Sequence, residues 1–425
     1  MPSSTTAPNS SGNSWASACR QDITAMAAAL HRPCPVCTSR TLETLAPLTL
    51  PQPSGSPLPD GYRLVACSAC DFAFADTPAP QSAYDHYYRS LAKYGGPTGT
   101  GAGQNPADLH RLEQLATRIE TWLPGPDVRL LDLGCGAGGL LAALAARGYT
   151  RAEGLDPDPA AVRAAHSHGL VVQEGLIGDA PARYAGQRFD LIVLSHVAEH
   201  LRDLDWLRQL ADLLAPGGTL YIEVPDPRGY RCDPRPPYYY FDSEHINHFS
   251  PRALARLFSA AGLAPAAFVD CTLSLPDGST YPAFAGIARA LPAADAPDTP
   301  PAMLDHLRAY IADSARRAAD SVSIQPPLDP AAPLLVWGAG SWAQRLLGQN
   351  AIPLPRVVAF LDGAPNKQGQ TFAGKPVVSP AEGLSRHPEA QVLVCVAVNP
   401  HQIAAEIRRL EPGSARNLHF ITERP

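Results

Sequence analysis

No apolar run in this chain approaches the roughly 20 consecutive residues that a membrane-spanning helix needs, so no membrane partner is expected. An excess of positive charge is lacking too. A net charge of −6 and a pI near 6.1 provide no general attraction for nucleic acid or anionic lipid. The first 18 residues, MPSSTTAPNSSGNSWASA, are small and polar and lack the charged start and apolar centre of a secretion signal. A disordered tail over residues 1–30 and a cytoplasmic protein are the expectation. Methionine is scarce, at 3 residues against 45 prolines, a bias to which no function is attached.

What is present is enough apolar material, 45% of 425 residues, for two or three domains with cores of their own. Nine cysteines include two CxxC pairs, Cys34-Pro-Val-Cys37 and Cys67-Ser-Ala-Cys70, which suit a metal in a reducing compartment better than a disulfide framework. Each pair can direct two thiolates at one ion, and four sulfurs in a closed set favour Zn2+ in a structural role. The metal would hold together a module at 31–75 that is too small to fold around its own core. Ordinary buried thiols or a redox pair are the alternatives. A tyrosine-rich linker at 76–104 follows, with Tyr84, His86, Tyr87, Tyr88 and Tyr94. These side chains either cover a cofactor or touch a sugar-like substrate, or they pack the metal module onto its neighbour.

The stretch that organises the centre of the chain is LLDLGCGAGGLL, residues 130–141. An apolar run at 128–133 predicts a buried strand, and the Ala/Leu-rich segment 140–147 a helix. The glycines between them allow a tight turn and close approach of a ligand to the main chain at a helix N-terminus. Upstream, Leu109, Leu112, Leu115, Ile119 and Leu123 recur at helical spacing. Downstream, 151–156 reads as a second strand ending in Asp156, a carboxylate placed to accept ribose hydroxyls in either an NAD or an S-adenosylmethionine site. The turn carries Asp132 two positions before its first glycine, the feature that separates it from a dinucleotide turn. Further strands are expected at 171–177, 189–195 and 219–224, with a helix over 206–214 stopped by Pro216-Gly217-Gly218. Strands alternating with helices predict an open α/β sheet of doubly wound type.

In sequence order, DLGCGAG, GLDPDP, FDLIVLSHVAEHL and LLAPGGTLYIEVP resemble the successive motifs of class I S-adenosylmethionine-dependent methyltransferases. The resemblance implies a Rossmann-like methyltransferase domain over residues 105–290. It also implies S-adenosyl-L-methionine as cofactor, with Asp132, Gly134, Gly136 and Gly138 lining its methionine part, Asp156 its ribose and Leu176 its adenine. Ser195, which closes the fourth strand, completes the cofactor-binding set.

Beyond the fifth strand a loop dense in Tyr, Glu and His leads to Ser250-Pro251, which caps a helix over 253–261. Its Glu244-His245 pair places a group that titrates near neutral pH beside a carboxylate, in a position where such sheets bind substrate. The other reading is that the pair ties the loop to the helix behind it. Residues 300–425 repeat the alternating theme. A helix over 303–322 leads to strands at 333–337, 357–361 and 392–398, the first ending in a second glycine turn, Gly338-Ala339-Gly340-Ser341. This predicts a smaller C-terminal Rossmann-like domain that either binds a nucleotide portion of the substrate or serves for docking.

Paired CxxC, tyrosine-rich link, methyltransferase core, EH loop and C-terminal glycine turn together resemble the zinc-containing, three-domain nucleotide-sugar C-methyltransferases of deoxysugar biosynthesis. In that family a Tyr-x-Glu-His-x-x-Tyr-Phe-Ser loop carries the base that removes a proton beside a keto group. Here Glu244, His245, Phe249 and Ser250 match, Asp242 and His248 stand where the tyrosines would be, and a further family histidine falls on His200. The resemblance thus implies a catalytic set of His245, Glu244 and His200 and a small-molecule acceptor, a nucleotide-linked keto-sugar. An O- or N-methyltransferase of another metabolite and a non-catalytic cofactor-binding protein are the alternatives.

Overall fold

A computed structural model of the chain describes residues 29–90, 106–233, 235–274, 280–291, 302–319, 323–396, 400–412 and 416–422. Most of the expected N-terminal tail, Tyr94 in the linker and the last two residues of the strand expected at 392–398 lie outside the described residues. Among the described residues no helix is long and apolar enough to cross a membrane.

The cysteine module contributes three antiparallel strands, β1 (Glu43–Thr49), β2 (Gly61–Cys67) and β3 (Phe72–Asp76). From sequence alone the span between the CxxC pairs reads only as a connection. Alternation is weak there because β2 is buried at each of its last four positions, so its inner and outer faces are not distinguished by polarity.

The central sheet is built from β4 (Leu130–Leu133), β5 (Ala152–Asp156), β6 (Val172–Glu174), β7 (Phe189–Ser195) and β8 (Leu214–Pro225), all parallel. Two-residue β9 (Asn247–His248) then leaves this unit and pairs with β3 of the cysteine module. The strand β10 (Ala264–Asp270), the small hairpin β11 (Leu273–Ser274) with β12 (Thr280–Tyr281), and β13 (Ala283–Arg289) follow. The central order is β10-β13-β8-β7-β4-β5-β6, with β13 antiparallel to both neighbours. The chain winds outward in both directions from β4. Ligands of such sheets bind outside the strand carboxyl ends at that switch point, where the first glycine turn lies.

Two elements differ from expectation. The strand expected over 171–177 stops at Glu174, because the Asp179 carboxylate accepts from the Leu176 N–H and folds Ile177–Asp179 into a short 3-10 turn. The helix expected over 206–214 ends at Ala211, and β8 begins at Leu214, so that Pro216-Gly217-Gly218 lies inside the strand segment. A shift in β7–β8 pairing falls there, and Gly217 takes a φ of 75°, so the break marks a strand irregularity and not a helix stop.

The C-terminal unit contains β14 (Ser323–Gln325), β15 (Leu334–Trp337), β16 (Val357–Leu361), β17 (Thr371–Phe372), β18 (Lys375–Val378), β19 (Gln391–Val394) and β20 (Leu418–Thr422). Its order is β14-β20-β19-β15-β16-β18-β17, parallel except at the two edges. This second doubly wound sheet also has its switch point at its first glycine turn.

The units share cores. Cys34, Cys67, Cys70, Phe72 and Phe74 lie in one apolar cluster with Leu133, Ile192, Leu194 and Phe249 of the central unit. Each buried Phe contributes roughly 1.5–3 kcal/mol, so Phe72, Phe74 and Phe249 alone make this a strong junction. The helix Met303–Ala319 places Met303, Leu307 and Tyr310 in one apolar cluster with Leu64 of the N-terminal sheet, Tyr84 and Tyr240. Its N-terminus is held there by Asp71, whose carboxylate accepts from the N–H groups of Met303 and Leu304.

Candidate functional site

The first glycine turn follows β4, and Gly134, Gly136 and Gly138 have φ values of 76°, 55° and 79°. A Cβ at Gly134 would stand 2.6 Å from Val197 Cγ2, so both conformation and space call for glycine there. The Gly136 N–H donates to Asp156 Oδ2 at 2.7 Å, and the Asp158 N–H donates to Asp156 Oδ1 at 2.9 Å. Asp156 is thus fixed at the end of β5 against the turn itself. Burial pushes its carboxyl up to about 6, against the pull of those two N–H groups. Asp132, buried in β4, is pushed up to about 7 by burial and then by the charge of Asp156, with Arg111 opposing. Arg111, from the helix Pro106–Glu120, donates to Ser195 Oγ at 3.2 Å. Leu176 is half-buried at the start of the 3-10 turn after β6. The expected cofactor residues are therefore distributed over β4, β5 and β7 and the connection after β6.

The Glu244-His245 loop comes to the same end of the sheet. Asp242 Oδ1 accepts from the N–H groups of Glu244 at 2.9 Å and His245 at 2.7 Å. This departure from the family loop thereby folds the turn that presents both side chains. The Ile246 N–H donates to the Glu199 carbonyl at 2.9 Å, and β9 then ties the loop to β3. Tyr87 donates its hydroxyl to Glu244 Oε1 at 2.8 Å. His200 Nδ1 lies 3.0 Å from both the Glu244 carbonyl and the Tyr88 hydroxyl, and its ring is 4.8 Å from that of His245. All three expected catalytic residues are brought together, and Tyr87 and Tyr88 join them. His248, the second departure, is buried beside Tyr230. Burial and then His245 push it down to about 3, so it is a neutral packing group.

Three further polar groups, to which the sequence assigns no role, stand beside this site: His196, Glu199 and Glu223. His196, at a φ of 56°, lies between the two carboxylates, 3.2 Å from Glu199 Oε1 and 3.5 Å from Glu223 Oε1. Arg118 Nη2 and the Tyr221 hydroxyl donate to Glu223 Oε2 at 2.9 and 2.7 Å. Burial opposes the Glu223 charge, yet His196, Arg118 and Tyr221 together pull its carboxyl down to about 2. His196 is raised: burial opposes this, and the Glu199 and Glu223 hydrogen bonds prevail. A lone carboxylate inside the apolar strand LYIEVP is the available signal for Glu223. Nothing local signals its partner Arg118, which is 105 residues earlier.

The four cysteines converge. Cys34 Sγ is 3.5 Å from Cys70 Sγ, and Cys37 Sγ is 3.5 Å from Cys67 Sγ, so the near neighbours are across the two CxxC pairs. All four sulfurs lie within 4.8 Å of one another. A tetrahedron with Zn–S bonds of about 2.3 Å has edges of about 3.8 Å, so the set can hold a zinc ion with little movement. No position is left for water, which fits a structural role.

Between the EH loop and the C-terminal unit is a narrow cleft, bounded on one side by Tyr87, Ser243 and Glu244 and on the other by Gly340, Ser341 and Lys367. The second glycine turn repeats the construction of the first. The Ala339 N–H donates to Asp362 Oδ2 at 3.1 Å and the Ala364 N–H to Asp362 Oδ1 at 3.0 Å, with Asp362 directly after β16. Lys367 Nζ adds a contact to Asp362 Oδ2 at 2.9 Å, so here the carboxylate is neutralised from within.

Comparison with known proteins bears on the central unit. Residues 104–267 match a family model described as a methyltransferase domain. The ubiquinone biosynthesis O-methyltransferase of Agrobacterium fabrum is 29% identical over 160 residues, covering 35% of this chain and 64% of that protein. The protein of the same name from a Methylobacterium species is 35% identical over 127 residues, covering 28% and 51%. The chain therefore spans less than two thirds of these relatives. Among solved structures, geranyl diphosphate C-methyltransferase from Streptomyces coelicolor, in complex with Mg2+, geranyl diphosphate and S-adenosyl-L-homocysteine, aligns at 19% identity over 50% of this chain and 98% of its own, with a TM-score of 0.35. The matched span carries the sheet from β4 to β8, the first glycine turn and the Asp156 carboxylate, and residues 104–267 are thus a methyltransferase domain with the class I Rossmann-like fold.

Proposed function

We propose that the chain is an S-adenosylmethionine-dependent methyltransferase whose acceptor is a nucleotide-linked keto-sugar, methylated at carbon, with Zn2+ held by Cys34, Cys37, Cys67 and Cys70 in a structural role. The observation that carries the acceptor reading is the cleft with Glu244 at one wall and a second glycine turn at the other. Glu244 and Tyr87 on one wall and Gly340, Ser341 and Lys367 on the other bring polar groups of both units to one opening. The helix Ser341–Gly348 starts at that turn, and with Asp362 neutralised by Lys367 no net negative charge opposes a phosphate there.

The donor residues fit S-adenosylmethionine by charge. Two buried carboxylates, Asp132 and Asp156, each pushed above the ordinary range, favour a ligand that carries an ammonium and a sulfonium and disfavour a pyrophosphate. Arg111, beside Ser195, is the cation available to the ligand's carboxylate. When bound, S-adenosylmethionine supplies an activated methyl group. The protein contributes alignment and exposure of a nucleophile. His245 takes the proton beside the acceptor's carbonyl, becoming imidazolium, and the electron pair left on carbon forms the new bond. The Tyr87–Glu244 pair and His200 with Tyr88 surround the developing negative charge with hydrogen-bonding groups.

A second reading is methylation of a hydroxyl, favoured by the names of the curated relatives. The same base then removes a proton from oxygen. Incubating the full chain with labelled donor and a panel of nucleotide keto-sugars and hydroxylated rings, with NMR of the product, separates the two. A methyl carbon bonded to ring carbon supports the first reading, and a methoxy signal supports the second.

The acid side of the donor site gives a pH dependence. The Asp132 carboxyl is raised from 3.8 to about 7, so its neutral form is the one the fold favours. Its contribution to stability is fully present below about 3.8 and is lost as pH rises through about 7. Binding a cationic ligand requires the ionised form, so affinity is expected to rise about tenfold between about pH 6 and 8. Calorimetry with S-adenosylmethionine at the two pH values tests this, and Asp132→Asn should flatten the dependence.

A further inference from the structure

We infer that Glu199, His200 and His245 form a second metal site, separate from the four cysteines, for a divalent transition-metal ion. One ligand atom from each residue lies within 4.8 Å of the others, and Glu199 Oε1 is 4.0 Å from His200 Nε2. Bonds of about 2.0–2.2 Å to such an ion need ligand separations of roughly 3–3.5 Å, so the set closes by a movement of about 1 Å.

Two further observations point to an ion. Glu199 is 1% exposed, and its Oε2 is buried with no hydrogen-bond partner among the described residues. A buried carboxylate oxygen left without a donor is costly, and a cation supplies what is missing. Second, His200 Nδ1 is 3.0 Å from both the Glu244 carbonyl and the Tyr88 hydroxyl, contacts that orient the ring with Nε2 on the side of Glu199. Ligating histidines are oriented by this kind of second contact. His196 Nδ1, 3.2 Å from Glu199 Oε1, orients the carboxylate in the same way. The backbone is prepared too, since the Ile246 N–H to Glu199 carbonyl bond fastens the turn that carries Glu199 and His200 to the loop that carries His245. Two imidazoles with one carboxylate select a transition ion over Mg2+ or Ca2+ and leave open coordination positions.

The inference shares His245 with the methyl-transfer reading, and the two states exclude each other: an ion on the His245 lone pair removes the base. Counting metal needs no acceptor, so either reading can fail alone. The full chain, dialysed against a small excess of zinc and analysed by atomic absorption, is expected to hold two ions, and Glu199→Gln one. Cobalt added to the one-zinc protein is expected to give weak visible bands without thiolate charge transfer. One ion in the wild-type chain, or two in Glu199→Gln, overturns the inference. Should Glu199→Gln lose both ions by failing to fold, His245→Gln decides: one ion supports the site and two refute it. Turnover is expected to fall as the second ion binds, and a rise would refute the exclusion.

Discussion

Replacing His245 by alanine is expected to lower turnover by about 10²–10⁴-fold, the range over which a positioned general base accelerates proton removal. S-adenosylhomocysteine should bind the variant with unchanged affinity. The donor residues lie on β4, β5 and β7, whereas His245 is carried by the loop folded on Asp242. Turnover measured with labelled donor, beside a thermal shift with S-adenosylhomocysteine, reads both. An active His245→Ala variant would remove His245 from the base role. Glu244→Gln keeps the Tyr87 hydrogen bond and loses the charge, so a smaller loss is expected there.

Cysteine-to-serine substitution at Cys67 is expected to have the larger effect on the protein itself. Structural zinc in small modules carries an apparent binding free energy of about 10–16 kcal/mol, which appears as folding free energy because the unfolded chain presents no site. The consequence does not stay in the module. Cys67 closes β2 next to Phe72 and Phe74, these pack with Phe249, and β3 pairs with β9 directly after the Glu244-His245 loop. Loss of the metal should therefore release the catalytic loop. The expected result is loss of one zinc per chain, a large fall in melting temperature and loss of turnover together. A Cys67→Ser chain that keeps its zinc, or that loses zinc and keeps its melting temperature, would contradict the structural role.

Much of the donor half is legible in the sequence. Apolar runs followed by glycine or a carboxylate are local signals, and they locate β4 with its turn and β5 with Asp156 to within about two residues. Ser250-Pro251 is legible for the same reason, and the Ser250 hydroxyl does accept from the Ala253 N–H at the helix start. The errors arise where tertiary context overrides a local pattern. Pro216-Gly217-Gly218 reads as a helix stop in isolation, but neighbouring β7 draws it into a strand. The run 171–177 reads as one strand, but the Asp179 side chain ends it early.

For the acceptor half, the sequence names Glu244, His245 and His200 as candidates without placing them. His200 is 44 residues from Glu244 and 112 from Tyr88, and no local rule links it to either. β9 is two residues long, too short for a periodic signal, yet its pairing with β3 positions the loop. By itself, then, the sequence determined the glycine turns, the doubly wound alternation and the four thiols, because each depends on neighbours within a few positions. Only the tertiary structure decided that the thiols converge, that Glu223 is ionised against Arg118 and His196, and that the second glycine turn faces Glu244 across a cleft. These are contacts between segments far apart in the chain, set by which apolar faces can be buried together.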